Sequence, residues 1–203
     1  MRRKRREPQQ SRSQVTVEAI LDSVSRVIRE RGAAALTTNR IADTAGVSIG
    51  TLYQYFSNKQ DIFNALHERQ FGRMAERVKE SLVAAEGGSL DDLLVLLVNA
   101  VIAERLEDPD MHRFLATTVP RRAETKAHPL FEAFFLAVLS HRDELRRDCD
   151  LHRFVFVLSH MIESLANAAV LSRPPSVTLE DARDSAISAI RAVVAIEASA
   201  AKI

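Results

Sequence analysis

Apolar side chains recur three and four positions apart along most of the chain, the spacing that places them on one face of an α-helix. No stretch shows the strict alternation that is typical of a half-buried β-strand. The first apolar face predicts a helix over residues 15–31, which Gly32 ends. Its members are Val17, Ile20, Leu21, Val24, Val27 and Ile28.

Further helical patterns follow along the whole chain. Residues 37–59 hold two short ones, and a long one covers residues 58–85, with Ser57 and Gln60 spaced as a capping box. The remaining patterns predict helices at residues 89–109, 110–118, 129–146, 151–172 and 178–200. The sequence therefore predicts an all-α fold of about nine helices.

The two short patterns are joined by a Gly-Val-Ser turn. Thr37 or Thr38 can cap the first helix by accepting a backbone N–H, and Gly46 follows its last apolar residue, where a left-handed conformation is common. Ser48 can cap the second helix. This is the layout of a helix-turn-helix, whose second helix lies in the major groove of DNA.

The second short helix predicts a largely exposed face. Leu52 and Phe56 point inward, which leaves Ile49, Gly50, Thr51, Tyr53, Gln54 and Tyr55 at or near the surface. A glycine inside a helix costs roughly 1 kcal/mol relative to alanine, so we expect Gly50 to permit a close approach of DNA. The alternative is an ordinary helical hairpin with tyrosines on its surface.

The segment from Val17 to Leu66 closely resembles the N-terminal domain of the TetR family of transcriptional regulators. The matching residues are Thr38, Ile41, Ala42, Ala45, Gly46, Val47, Ser48, Gly50, Thr51, Leu52, Tyr53, Tyr55, Phe56 and Lys59. Tyr55 stands where the family often has histidine. Beyond about Leu66 the resemblance implies the architecture and little else.

The resemblance divides the residues of this motif into two groups. It implies that the phosphate backbone is held by Thr38, Tyr53, Tyr55 and Lys59. It implies that the base edges lie nearest to Ser48, Ile49, Gly50, Thr51 and Gln54. The fold then consists of an N-terminal three-helix helix-turn-helix DNA-binding domain followed by a helical ligand-binding and dimerisation domain.

Charge is distributed unevenly along the chain. Residues 1–60 carry 11 Lys or Arg and 5 Asp or Glu, a net +6, whereas residues 61–203 carry 17 and 22, a net −5. This favours nucleic-acid contact by the N-terminal part alone. We expect a basic disordered arm at 1–14, the DNA-binding domain at 15–60 and the helical domain at 61–203. The arm's Arg2, Arg3, Lys4, Arg5 and Arg6 either contact DNA or remain solvated.

Composition narrows the class of protein further. Charged residues make up 27% and hydrophobic residues 46% of the chain, as in soluble globular proteins. No apolar run approaches the 18 residues of a membrane helix, and the basic start lacks the apolar stretch of a signal peptide. A single cysteine, Cys149, fits a reducing cytoplasm and leaves no cysteine metal site. We expect a cytoplasmic protein with no membrane association, no metal and no cofactor.

The helices at 151–172 and 178–200 are the predicted dimer surface. The first is apolar on nearly every side, so it needs cover all round. The second carries a seam of small residues through Ala182, Ala186 and Ala189. The predicted interface comprises Phe154, Leu158, Leu165, Ala186, Ile190, Val193 and Val194. The alternative places both helices in the core of a monomer.

A cluster of phenylalanines in the second half predicts an apolar cavity with a few polar groups, as small-molecule sites usually have. The candidate ligand contacts are Met111, Phe114, Phe131, Phe134, Phe135, Phe156, His160, Glu163 and Asn167. The competing interpretation is a plain core. The three polar members can equally bond across a dimer.

The sequence therefore predicts a homodimeric regulator that binds double-stranded DNA at a palindromic operator. Most simply it is a repressor, released by a small and largely apolar effector. The alternative is a DNA-binding regulator controlled by a protein partner or by concentration, without a small-molecule inducer. No nucleophile motif, phosphate-binding glycine loop or histidine pair at ligand spacing is found, so we do not expect an enzyme.

Overall fold

The computed structural model describes residues 7–84, 87–118 and 129–198, apart from the side chains of residues 7–11, 82, 129 and 130. The described residues form nine α-helices and no strand, which confirms the predicted all-α fold. The helices are α1 Glu7–Arg31, α2 Thr38–Ala45, α3 Ile49–Tyr55, α4 Lys59–Ala84, α5 Leu90–Glu107, α6 Pro109–Thr118, α7 Pro129–Leu139, α8 Leu151–Leu171 and α9 Leu179–Glu197. Short 3-10 helices lie at Ala33–Ala35 and Arg142–Glu144.

Two compact units are formed by the chain. The first comprises Met1–Arg69 with Arg113–Arg121, and the second comprises Gln70–His112 with Arg122–Ile203. These units differ from the expected domains at 15–60 and 61–203, because the first reaches Arg69 and also includes residues from late in α6. The helical spacing of apolar residues does not show at which residue a continuous helix such as α4 passes from one compact unit to the other.

In the first unit, α1 packs against α2 and the 3-10 helix Ala33–Ala35. Five of the six residues of the α1 stripe that the sequence predicted are buried, with Ile20 and Val24 fully covered, and Val17 is partly buried. Arg69 of α4 bridges two carboxylates of α1, since its Nη1 lies 2.7 Å from Glu18 Oε2 and 2.8 Å from Asp22 Oδ1. This ion pair links α4 to α1.

α1 begins at Glu7, eight residues before the predicted start at Val15. Pro8 falls in the first turn of α1. Backbone N–H groups there have no intrahelical acceptor, so a proline, which lacks this group, costs no hydrogen bond. The expectation of a disordered arm is therefore wrong for residues 7–14. Its basic residues, Arg2, Arg3, Lys4, Arg5 and Arg6, lie outside the described part of the chain.

The second unit is built around α5 and α8. Half of the residues of α5 are buried, including Leu93, Leu97 and Val101, and α5 contacts both α8 and α9. α7 packs against α8 and contributes Phe134 and Val138 to the same core. The prediction of a helix covered on every side fits α5 better than α8, whose Phe156 and Val157 are exposed.

α7 ends at Leu139, not at Arg146 as predicted. The guanidinium of Arg142 donates to the carbonyls of Leu145, Arg146 and Arg147 at 3.3, 2.7 and 2.8 Å. The N–H of Arg146 donates to the carbonyl of Glu197 at 2.8 Å. These bonds satisfy the backbone in a non-helical path, which the helical spacing of side chains does not reveal.

Side chains cap several of the described helices. Ser89 and Thr178 form capping boxes with Asp92 and Asp181, at the starts of α5 and α9. Asn58 caps α4, because its Oδ1 accepts the N–H of Asp61 at 3.0 Å. The predicted capping box of Ser57 and Gln60 is wrong by one residue at each position.

α8 is long and apolar enough, by length and composition, to cross a membrane, and 39% of its most apolar window is buried. The expectation from the sequence, that no apolar segment approaches the length of a membrane helix, is therefore wrong for α8. Core helices of soluble proteins pass the same test, and α8 packs against α5, α7 and α9. We interpret it as a core helix with one uncovered face.

Candidate nucleic-acid interface

The turn between α2 and α3 is fixed by local hydrogen bonds. Thr37, rather than Thr38, caps α2, since its side chain accepts the N–H of Arg40 at 3.2 Å. Gly46 adopts the left-handed conformation with φ 71°, which an L side chain rarely adopts, and so ends α2. The N–H of Val47 then donates to the carbonyl of Ala42 at 3.0 Å, which completes the turn as predicted.

α3 is capped by Ser48, whose Oγ accepts the N–H of Thr51 at 3.0 Å. The two hydroxyl oxygens of these residues lie 2.8 Å apart. Leu52 is the only buried residue of this seven-residue helix. A helix that buries one side chain contributes little core, so its exposed face is free for a partner.

The exposed face of α3 contains large side chains. Ile49, Tyr53 and Tyr55 are 39%, 50% and 37% exposed, and Gln54 also faces solvent. Every residue expected near the base edges, Ser48, Ile49, Gly50, Thr51 and Gln54, is at least partly exposed. The helix therefore offers apolar, hydroxyl and amide groups together, the groups that read base edges in a major groove.

Gly50 has space for a side chain within the protein. A Cβ at this position meets only Ser48 Oγ, at 3.7 Å, which is an ordinary van der Waals distance. The helix therefore has no internal need for glycine here. The close approach of DNA at Gly50, a residue that weakens a helix, stays a prediction.

Two of the expected phosphate contacts lie side by side. The hydroxyl oxygen of Thr38, in the first turn of α2, lies 3.3 Å from that of Tyr53 on α3. Free N–H groups at a helix start and two hydroxyl donors suit a phosphate oxygen. Tyr55 is exposed at the end of α3 and makes no such pair with Thr38.

Lys59 lies at the start of α4, close to the same turn. Its Nζ is 3.5 Å from the carbonyl oxygen of Leu36 and 5.7 Å from the ring centroid of Phe63. The residue itself is exposed. The ammonium group is thus held near the start of α2 while it keeps access to solvent.

Arg40 was missed by the sequence reasoning. Its Nη1 donates to the carbonyl of Ala35 at 2.6 Å and so ties α2 to the preceding 3-10 helix. An arginine inside the predicted DNA-binding segment was the available signal. In the structure this guanidinium supports the turn from within, so it is a positioning group and not a clear phosphate contact.

The expected ligand contacts have different environments among the described residues. Met111 and Phe134 are fully buried core residues, Phe131 and Phe135 are half-buried, and Phe114 belongs to the first unit. Phe156 is 54% exposed and stacks on the exposed His160 with ring centroids 4.3 Å apart. A phenylalanine count along the sequence cannot separate these environments.

The two other polar candidates are half-buried residues of α8, Glu163 and Asn167. Asn167 Oδ1 accepts a hydrogen bond from Arg105 Nε at 2.6 Å. This bond belongs to a buried polar cluster with Glu104 and His112, which the sequence reasoning did not identify. The signal was a pair of charged residues, Glu104 and Arg105, that continue the apolar spacing of α5.

A groove of about 440 Å³ opens on the surface of the second unit between α5 and α9. Its apolar lining includes Ile102, Leu106 and Leu179, and its polar lining includes Asn99 and Arg183. Leu106 is 45% exposed there. None of the ligand contacts expected from the sequence lines this groove.

The expected dimer residues divide into two groups. Phe154, Leu158, Ala186 and Ile190 are at most 4% exposed and belong to the core of the single chain, so they are corrected as interface residues. Leu165, Val193 and Val194 are partly buried against that core. Phe156, Val157 and Ile196 are exposed on α8 and α9 instead, at 54%, 39% and 66%.

Among the described residues no group of three or more metal-binding side chains is found. Cys149 is a buried free thiol, and burial raises its pKa.

Known proteins resemble this chain both locally and over its length. Residues 20–66 match the family model of bacterial regulatory proteins, tetR family. The HTH-type transcriptional repressor AcnR of Corynebacterium diphtheriae is 30% identical over 114 residues, 56% of this chain and 52% of the repressor. The chain spans about half the length of the curated relatives it matches.

Solved structures match over nearly the whole chain. A TetR-family transcriptional regulator from Streptomyces coelicolor is 26% identical, with a TM-score of 0.65 over 90% of this chain and 99% of that one. The FadR repressor of Thermus thermophilus, solved with lauroyl-CoA, is 19% identical, with a TM-score of 0.66 over 92% and 99%. That second likeness shows the fold.

These relatives are regulators and not enzymes, in agreement with the sequence prediction. The matched segment coincides with the capped turn, the exposed α3 and the start of α4. Residues 20–66 match the tetR family of bacterial regulatory proteins, and the chain as a whole resembles TetR-family transcriptional regulators in sequence and fold.

Proposed function

We propose that the protein is a repressor that binds double-stranded DNA through the exposed face of α3. The observation that carries this proposal is that α3 buries Leu52 alone and presents the rest of its length to a partner. Its neighbours supply the phosphate contacts, namely the paired hydroxyls of Thr38 and Tyr53, the phenol of Tyr55 and the ammonium of Lys59. Base contacts specify the sequence, while phosphate contacts fix the register.

The protein acts as a homodimer on a palindromic operator. One short helix reads few base pairs, so specificity requires two recognition helices on half-sites about 34 Å apart. The exposed apolar residues Phe156, Val157 and Ile196 support a dimer surface on the outer faces of α8 and α9. The outer face of α9 also carries Ser185, Ser188, Ala192 and Ala195, whose small size permits close helix contact.

A small, largely apolar effector binds the second unit and weakens DNA binding. The groove between α5 and α9 supports this, because Ile102, Leu106 and Leu179 give it an apolar lining. The structurally similar FadR repressor, solved with lauroyl-CoA, is a precedent for an effector with an acyl chain. The effector acts only through different affinities for the two functional states.

A partner-controlled regulator is the second candidate. It is favoured by the burial of Met111 and Phe134, two of the expected ligand contacts, whose side chains have no access to solvent. Such a protein binds the same operator without a small-molecule effector. Either form acts in the cytoplasm, where its DNA is.

Footprinting on the DNA that flanks its own gene, with and without lauroyl-CoA, tests the proposal. We expect a two-fold symmetric footprint that weakens when an acyl effector is present. By reciprocity, the operator must weaken effector binding by the same factor, and a tenfold change corresponds to about 1.4 kcal/mol. A footprint that no acyl compound changes favours the partner-controlled form, and no footprint contradicts both.

A further inference from the structure

Phe114 was expected in a ligand pocket, but its ring contacts the DNA-binding unit. Its centroid lies 4.8 Å from that of Phe63, with 84° between the ring planes. Both residues belong to the first unit. This edge-to-face arrangement is the favoured geometry of two aromatic rings.

Phe63 in turn lies beneath the ammonium of Lys59. The two residues are four apart on α4 and so share one face of the helix. The distance of 5.7 Å from Nζ to the ring centroid is within the range of a cation–π contact. The same Nζ lies 3.5 Å from the carbonyl oxygen of Leu36, so the flexible side chain has two fixed neighbours.

The ring of Phe63 can serve as a platform only if it is itself held. It is 3% exposed, and its partner Phe114 is followed by Leu115, which is 4% exposed. Thr117 on the same helix is exposed, and its hydroxyl donates to the carbonyls of Arg113 and Phe114.

We infer that Phe114 is a positioning residue for DNA binding, which acts through Phe63 on the ammonium of Lys59. The ring of Phe114 packs edge-on against Phe63 and holds its ring in place. The Phe63 ring and the Leu36 carbonyl then position Nζ of Lys59, which contacts a phosphate. A segment far along the chain thereby contributes to DNA affinity without touching DNA. The inference rests on the proposed function, since Lys59 is taken as a phosphate contact.

A double-mutant cycle with Phe114→Leu and Lys59→Ala tests the inference, because leucine keeps apolar volume and removes the ring. The probe is a duplex selected in vitro by the wild-type protein. We expect Phe114→Leu to weaken binding about two- to fivefold, the range of an exposed cation–π contact. It should also make the salt dependence less steep, by at most the roughly 0.9 that one lost phosphate contact removes. In the Lys59→Ala background the same substitution should have almost no effect.

Two controls separate positioning from general stability. Phe114→Tyr keeps the ring and should retain wild-type affinity, and Thr117→Ala on the same helix should do so as well. An equal loss from Phe114→Leu in both backgrounds, while Lys59→Ala itself weakens binding, overturns the inference and leaves the proposed function intact. If Lys59→Ala leaves both affinity and salt dependence unchanged, the phosphate assignment is wrong and the inference is overturned with it.

Discussion

Glu104 Oε2 lies 3.1 Å from Nε2 of His112, and only 5% of the Glu104 side chain is exposed. The same carboxylate lies 3.7 Å from Nη1 of Arg105, which donates to the carbonyl of Val101 at 3.2 Å. Arg105 Nε donates to Asn167, so the cluster joins α5 to α6 and to α8. A buried carboxylate requires such partners, since water does not solvate it.

Glu104→Ala is expected to lower the free energy of unfolding by about 3 kcal/mol, because it removes the buried carboxylate that lies against His112 and Arg105. Glu76→Ala is the matched control. It removes an exposed carboxylate 2.6 Å from Lys79 in the same unit, and such surface pairs contribute about 1 kcal/mol or less. Urea unfolding measures both, and equal losses would contradict the structural role of the cluster.

Gly50→Ala and Gly72→Ala separate helix stability from DNA contact. Both glycines lie inside helices, and a Cβ at either position meets no close neighbour. Each substitution should therefore stabilise the fold by up to about 1 kcal/mol. Only Gly50→Ala should weaken DNA binding, because its methyl group faces the groove. Loss of binding in Gly72→Ala, or normal binding in Gly50→Ala, would refute the close approach at Gly50.

Phe156→Glu is expected to give a folded monomer with reduced operator affinity, because it places a charge on the exposed face of α8. Ile190→Glu is expected to unfold the second unit instead, since Ile190 is 1% exposed in the core of the single chain. Light scattering reports the mass and circular dichroism reports the helix content. A folded, dimeric Phe156→Glu variant would place the interface on another face.

Stability should fall in acid as carboxylates that accept hydrogen bonds take up protons. The bidentate bond from Arg191 to Asp91, with both distances 2.6 Å, lowers the pKa of that carboxyl. Hydrogen bonds from Thr178 likewise lower the pKa of Asp181. A carboxyl whose pKa is lowered by folding contributes stability above its unfolded pKa, near 4, and loses it as pH falls through the folded value.

Asp91→Asn should therefore flatten the pH dependence of unfolding below about pH 4. The measurement is the urea midpoint as a function of pH for the wild type and the variant. Salt at about 1 M should reduce the difference between them, because the pair is exposed and easily screened. A variant whose acid profile is as steep as that of the wild type would show that Asp91 does not contribute.

The sequence predicts the helices and the turn well, because both depend on local signals. The caps Thr37 and Ser48, the left-handed Gly46 and the inward Leu52 all lie within a few residues of the features they determine. The apolar stripe of α1 is also predictable, since a helix that is buried on one face needs apolar residues at helical spacing. Such signals need no knowledge of distant packing.

The second unit is less predictable because its apolar residues have several possible partners. Phe154 and Phe156 are two apart on α8, yet one is 4% and the other 54% exposed. Phe114 and Met111 lie on one helix, yet they belong to different units. Tertiary contacts decide these assignments, so residue type alone does not identify the ligand or dimer residues.

The most direct test of the account is DNA affinity as a function of salt, measured for a selected palindromic duplex and for a shuffled duplex of equal length. We expect tighter binding to the palindrome by at least about a thousandfold, and a slope of about −0.9 per phosphate contact. Thr51→Ala should change the preferred base, whereas Lys59→Ala should weaken both duplexes alike. Equal affinity for the two duplexes, or affinity that is independent of salt, would contradict the assignment of α3 as a DNA-reading helix.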